Sequence, residues 1–71
     1  MNIADLDLRD AILHNMRGAS EEDVRHTIVD AISSREEKLL PGLGVLFELA
    51  WGQMSEQDKN KMIQVIQKQV Q

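Results

Sequence analysis

Apolar residues recur at spacings of three and four along the chain, and glycine, proline and serine divide that pattern into four segments. In the first, Leu8, Ala11, Ile12 and Met16 fall on one face of a helix predicted from about Asp7 to Arg17. Asp7 is its expected N-cap, Asp10 favours the positive end of the dipole, and Gly18 can take the left-handed cap. The second segment has the clearest start signal. Ser20 supplies a capping hydroxyl, Glu21, Glu22 and Asp23 place acids in the first turn, and Asp23 occupies the third helical position. Its stripe is Val24, Ile28, Ala31 and Ile32. The helix is expected to reach about Ser33, followed by a break and a short helical turn ending at Leu40, where Pro41 disfavours helix. Ser34 and Glu37 have the spacing of a second capping box.

The third segment runs from Pro41 to Trp51, with proline in its first turn. Leu43, Leu46, Phe47, Ala50 and Met54 form one stripe; Val45 and Leu49 widen it on one flank and Trp51 on the other. The apolar arc covers roughly 240°, where a simple surface helix needs about 100°. The helix is therefore either the central element of the fold or covered in part by another chain. Gly44, Glu48 and Gly52 fill the remaining sector, where the glycines permit close backbone approach. In the fourth segment Ser55 is the N-cap and Met62, Ile63, Ile66 and Val70 the apolar face. The short loop before it predicts an antiparallel C-terminal helical hairpin. No alternating run or hairpin turn marks a strand. The expectation is an all-α fold, a small bundle of three to four short helices forming a single helical domain over residues 1–71.

Composition narrows the function. The chain has 71 residues, 42% hydrophobic and 28% charged, which is globular composition with room for one small core. Eight basic residues against twelve acidic ones give a net charge of −4, which argues against holding nucleic acid by phosphate neutralisation. With no cysteine, disulfides, thiolate nucleophiles and cysteine-ligated metals are excluded. No apolar run approaches the roughly 20 residues of a membrane span, and the start Met1-Asn2-Ile3-Ala4-Asp5 lacks the pattern of a secretory signal, so the expectation is a soluble intracellular protein with no membrane partner.

Candidate chemistry is sparse. His14 and His26 fall on different helices, without a third ligand in a zinc pattern. Glu21, Glu22, Asp23, Glu36 and Glu37 sit where the dipole of a helix start favours acids, and no EF-hand loop is present. Gly42-Leu43-Gly44 lacks the Lys and Ser/Thr of a P-loop and the preceding strand of a dinucleotide fingerprint. Lys59, Lys61 and Lys68 are interleaved with Glu56 and Asp58 rather than forming a basic stripe. No catalytic residue, cofactor site or metal site is assigned, and enzymatic activity is not expected. The wide apolar arc of the third helix is the feature above background. Val45, Leu49 and Trp51 are the candidate interaction surface, with a homodimer the expected form.

The stretch Thr27-Ile28-Val29-Asp30-Ala31-Ile32, followed by Glu36-Glu37-Lys38-Leu39-Leu40-Pro41-Gly42-Leu43-Gly44-Val45-Leu46-Phe47-Glu48, resembles the small acid-soluble spore protein I family of endospore-forming bacteria. The opening Leu6-Asp7-Leu8-Arg9 with Ala11-Ile12, Trp51 and the polar Ser55–Lys61 region are similar too. The resemblance implies synthesis in the forespore and storage in the spore core, that is, the forespore cytoplasm, as a minor spore protein. It implies no activity, partner or ligand residue. The chain lacks the paired glycine- and asparagine-rich motifs of the abundant DNA-coating spore proteins. The reading is a non-enzymatic structural or interaction protein that self-associates. Its rivals are a nucleic-acid-associated protein acting through the C-terminal helix and an inert amino-acid reserve.

Overall fold

A computed structural model describes the backbone of residues 3–71 and the side chains of residues 7–71. Four helices follow one another: α1 (Ile3–Met16), α2 (Glu21–Ser34), α3 (Leu40–Gln53) and α4 (Glu56–Val70). A single 3₁₀ turn, Glu37–Leu39, precedes α3. No strand occurs among the described residues, and the fold is a small all-α bundle.

Local signals set most boundaries. Ser20 Oγ accepts from the Asp23 amide at 3.1 Å while the Asp23 carboxylate accepts from the Ser20 amide at 3.3 Å, a complete capping box. Ser55 caps α4 by accepting from the Asp58 amide at 3.1 Å. Gly18 takes the left-handed conformation after α1, with φ of 78°. The upstream end of α1 differs from expectation. The helix begins at Ile3, so Asp7 lies in its second turn and is not the cap. No glycine or proline ahead of Asp7 stops the helix from extending that way.

The break after α2 is present and sharper than expected. Arg35 adopts a left-handed conformation, φ 59° and ψ 24°, the one non-glycine residue described with positive φ. Ser34 closes α2 instead of capping the 3₁₀ turn: its hydroxyl donates to the Ala31 carbonyl at 3.2 Å and accepts weakly from the Glu36 amide at 3.5 Å. The second capping box is therefore not formed, and the 3₁₀ turn starts without a side-chain cap. Leu40 is helical despite preceding proline, with φ −61° and ψ −41° and its amide on the Glu37 carbonyl. The 3₁₀ turn delivers the chain already in that conformation, and Pro41 in the first turn has no donor to leave unsatisfied.

α3 is the hub. α1, α2 and the 3₁₀ turn all pack on it. Ile12 and Met16 of α1, Ala31 of α2 and Leu39, Leu43 and Leu46 line a small cavity of about 120 Å³ where the three helices meet. Gly42 lies against α1: a Cβ there would stand 3.4 Å from Ile12 Cδ1, at the edge of ordinary van der Waals contact. The Gly44 and Gly52 positions face open space. Ile32, placed in the α2 stripe by its spacing, is 59% exposed, because the core-facing side of α2 ends at Ala31.

α4 leaves the bundle. Two residues, Met54 and Ser55, separate it from α3, but packing is confined to its first turns. Lys59 and Met62 are half-buried, and every residue from Ile63 onward is exposed. The turn of the expected C-terminal hairpin is thus present, while α4 does not lie back along α3. The Cα radius of gyration is 13.5 Å, where a packed chain of this length would have about 11 Å.

Candidate functional site

The three residues of the candidate surface separate on the structure. Val45 is 8% exposed, the one buried residue among those described. It shares a groove with Leu8 and Arg9 of α1, so it belongs to the core of the monomer and is removed from the surface. The spacing alone could not decide this, because α1 packs on the Gly42–Val45 side of α3 and leaves the Phe47 side open. Leu49 is 44% exposed. Trp51 is half-buried. Two residues apart on a helix, Leu49 and Trp51 point about 160° away from each other and cannot share one flat interface.

Trp51 anchors a cluster at the α3–α4 turn. Its ring lies 5.7 Å from that of Phe47, centroid to centroid, tilted by 35°. Lys59 Nζ stands 5.2 Å from the Trp51 ring centroid, within cation–π range. The same ammonium is 3.5 Å from Glu56 Oε1. Beyond the cluster the apolar surface continues in both directions. Leu40 and Phe47 are exposed on α3, and Ile63, Ile66 and Val70 on α4.

Glu48, about 60° from Trp51 around α3, belongs to a pair the sequence did not announce. Arg9 of α1 donates through Nε and Nη2 to the two carboxylate oxygens of Glu48, at 2.9 and 3.0 Å. That two-pronged hydrogen bond, with the guanidinium charge beside it, holds the Glu48 carboxyl below the usual carboxylate range. Opposite charges 39 residues apart carry no periodic signal, which is why sequence spacing misses them.

Other candidate groups do not converge. His14 and His26 are both exposed, on α1 and α2. No three His, Asp or Glu side chains among the described residues are placed to hold a metal ion. Gly42, Leu43 and Gly44 lie inside the first turns of α3, not in a loop that could cradle a phosphate. An open concavity of about 650 Å³ is lined by residues of α2 alone and brings no second element's chemistry to it. Lys59 and Lys61 lie about 160° apart around α4, so the lysines do not build a basic track. No described helix is long and apolar enough to cross a membrane.

The arrangement defines a small helical protein with extensive apolar surface and no assembled catalytic constellation among its described residues. The sequence model of the small, acid-soluble spore protein I family matches residues 6–70, and the chain belongs to that family. It is 54% identical over 63 residues to small, acid-soluble spore protein I of Bacillus licheniformis, covering 89% of this chain and 90% of that one. The protein of the same name from Bacillus subtilis is 54% identical, with 89% of both chains covered. That of Geobacillus kaustophilus is 50% identical over 66 residues, covering 93% of this chain and 96% of its own. No solved structure matches the chain.

Proposed function

We propose that this chain is a non-enzymatic structural protein of the spore core that acts as a self-associated assembly, most simply a homodimer. Family membership supports the spore setting. The observation that carries self-association is surface area. The chain exposes 6221 Å², whereas a folded monomer of 8.1 kDa exposes about 4,500 Å². The excess of about 1,700 Å² per chain is twice the roughly 800 Å² that each partner contributes to a standard interface. If two chains hid it together, about 3,400 Å² would be removed from water, which is the range of obligate homodimers. The expanded radius of gyration agrees. With one buried residue described and no disulfide, a second copy is the available source of further burial.

Sedimentation equilibrium of the full chain from low to high micromolar concentration tests the reading. A concentration-dependent shift from monomer to dimer is expected, with a blue shift of Trp51 emission as it associates. A protein that sediments as a monomer throughout refutes it. The net charge of −4 further predicts no retardation of DNA or RNA in a low-salt gel shift at micromolar protein.

A further inference from the structure

Two stripes diverge from the contact between Trp51 and Lys59, and beyond that contact both are apolar and exposed. On α3, Leu40, Phe47 and Trp51 occupy positions i, i+7 and i+11, within about 40° of one another around the helix. On α4, Lys59, Ile66 and Val70 repeat that spacing, with Ile63 between them. Each stripe runs about 16 Å along its helix. Lys59 faces the Trp51 ring, and Ile63, Ile66 and Val70 follow on the same side of α4. The two stripes therefore line the inner faces of the open angle between α3 and α4. Within one chain they do not cover each other, since Leu40 is 58% and Val70 76% exposed.

We propose that α4 of one copy docks along the Leu40–Phe47 stripe of a second copy, and reciprocally, so that each arm closes the other's open angle. The proposal rests on the self-association argued above and names the element that performs it. A second copy is the occupant the observations favour, for two reasons. The surface in excess is of obligate-dimer size. The two stripes have equal length and both are present in every chain, so a two-fold arrangement uses each twice.

The absence of cysteine makes the test clean. Phe47→Cys and Ile66→Cys are prepared separately as full chains, mixed and oxidised. A covalent dimer should form in the mixture and several-fold less in either variant alone. In parallel, Ile66→Glu should weaken association at least tenfold with helix content retained, because Ile66 is exposed and lies beyond the packed first turns of α4. Val65→Glu, on the other side of α4, should leave association unchanged. If the wild type dimerises but Ile66→Glu dimerises equally well and the mixed cross-link is absent, the docking of α4 is overturned while self-association stands. A Phe47→Cys/Ile66→Cys chain that closes within itself at high dilution, in a wild type that stays monomeric, overturns both. Should Ile66→Glu lose its helices, the mixed cross-link alone decides: its formation supports docking and its absence overturns it.

Discussion

Val45→Ala is expected to remove about half of the stability of the fold. Val45 is 8% exposed and held between α3 and the Leu8–Arg9 turn of α1. The substitution deletes two methyl groups, a transfer loss of about 1.6 kcal/mol at roughly 0.8 kcal/mol each. A cavity contribution adds to this, but the groove beside Val45 is open, so neighbours and water can partly fill the gap. The expected cost is therefore about 2 kcal/mol. A core of this size supplies only about 3–5 kcal/mol without staples. Urea unfolding followed by circular dichroism, at one fixed protein concentration, reads the loss. With a slope near 1 kcal/mol/M, expected for so small a chain, the midpoint should fall by about 2 M. A cost below about 0.5 kcal/mol, the size typical of exposed positions, would show that Val45 is not core and would restore it to the interaction surface.

Three further outcomes are expected. Ser20→Ala, which removes the hydroxyl of the capping box, should cost about 1 kcal/mol in the same urea assay, whereas Ser33→Ala should cost much less. Arg35→Gly should stabilise by about 0.5 kcal/mol, because it relieves a left-handed conformation worth about 1 kcal/mol or more while loosening the unfolded chain; a loss would show that the Arg35 side chain matters more than its backbone. Because Arg9 holds the folded Glu48 carboxyl below its unfolded value, that residue's contribution is present above the unfolded pKa and lost as pH falls through the folded one. Glu48→Gln should therefore flatten the acid side of the stability–pH curve, and an unchanged slope in thermal melts between pH 6 and about pH 3 would refute the linkage.

How much of the fold was legible in the sequence depends on the range of the interactions concerned. Ser20 with Asp23, and Ser55 with Asp58, act within one turn, so four residues of sequence contain the whole motif and the structure forms both caps. Arg35 sits one step beyond that reach. A break was readable from the serines before it and the proline after it, but any of several residues could have taken the left-handed conformation. The Arg9–Glu48 pair and the Gly42–Ile12 approach join separate helices, and nothing in either local stretch specifies its partner. Val45 shows the same limit within a single helix. An apolar arc of about 240° states that several sides avoid water, not which side α1 will take. The α4 stripe is the sharpest instance. Ile63, Ile66 and Val70 encode an apolar face as clearly as Ile12 and Met16 do in α1, yet the bundle covers the second pair and leaves the first three exposed. Periodicity records that a face is to be withdrawn from water and is silent on whether its own chain or another withdraws it. In a chain that exposes 6221 Å², with one valine buried among the described residues, the proposed second copy would reconcile the pattern with the packing by completing what the first leaves open.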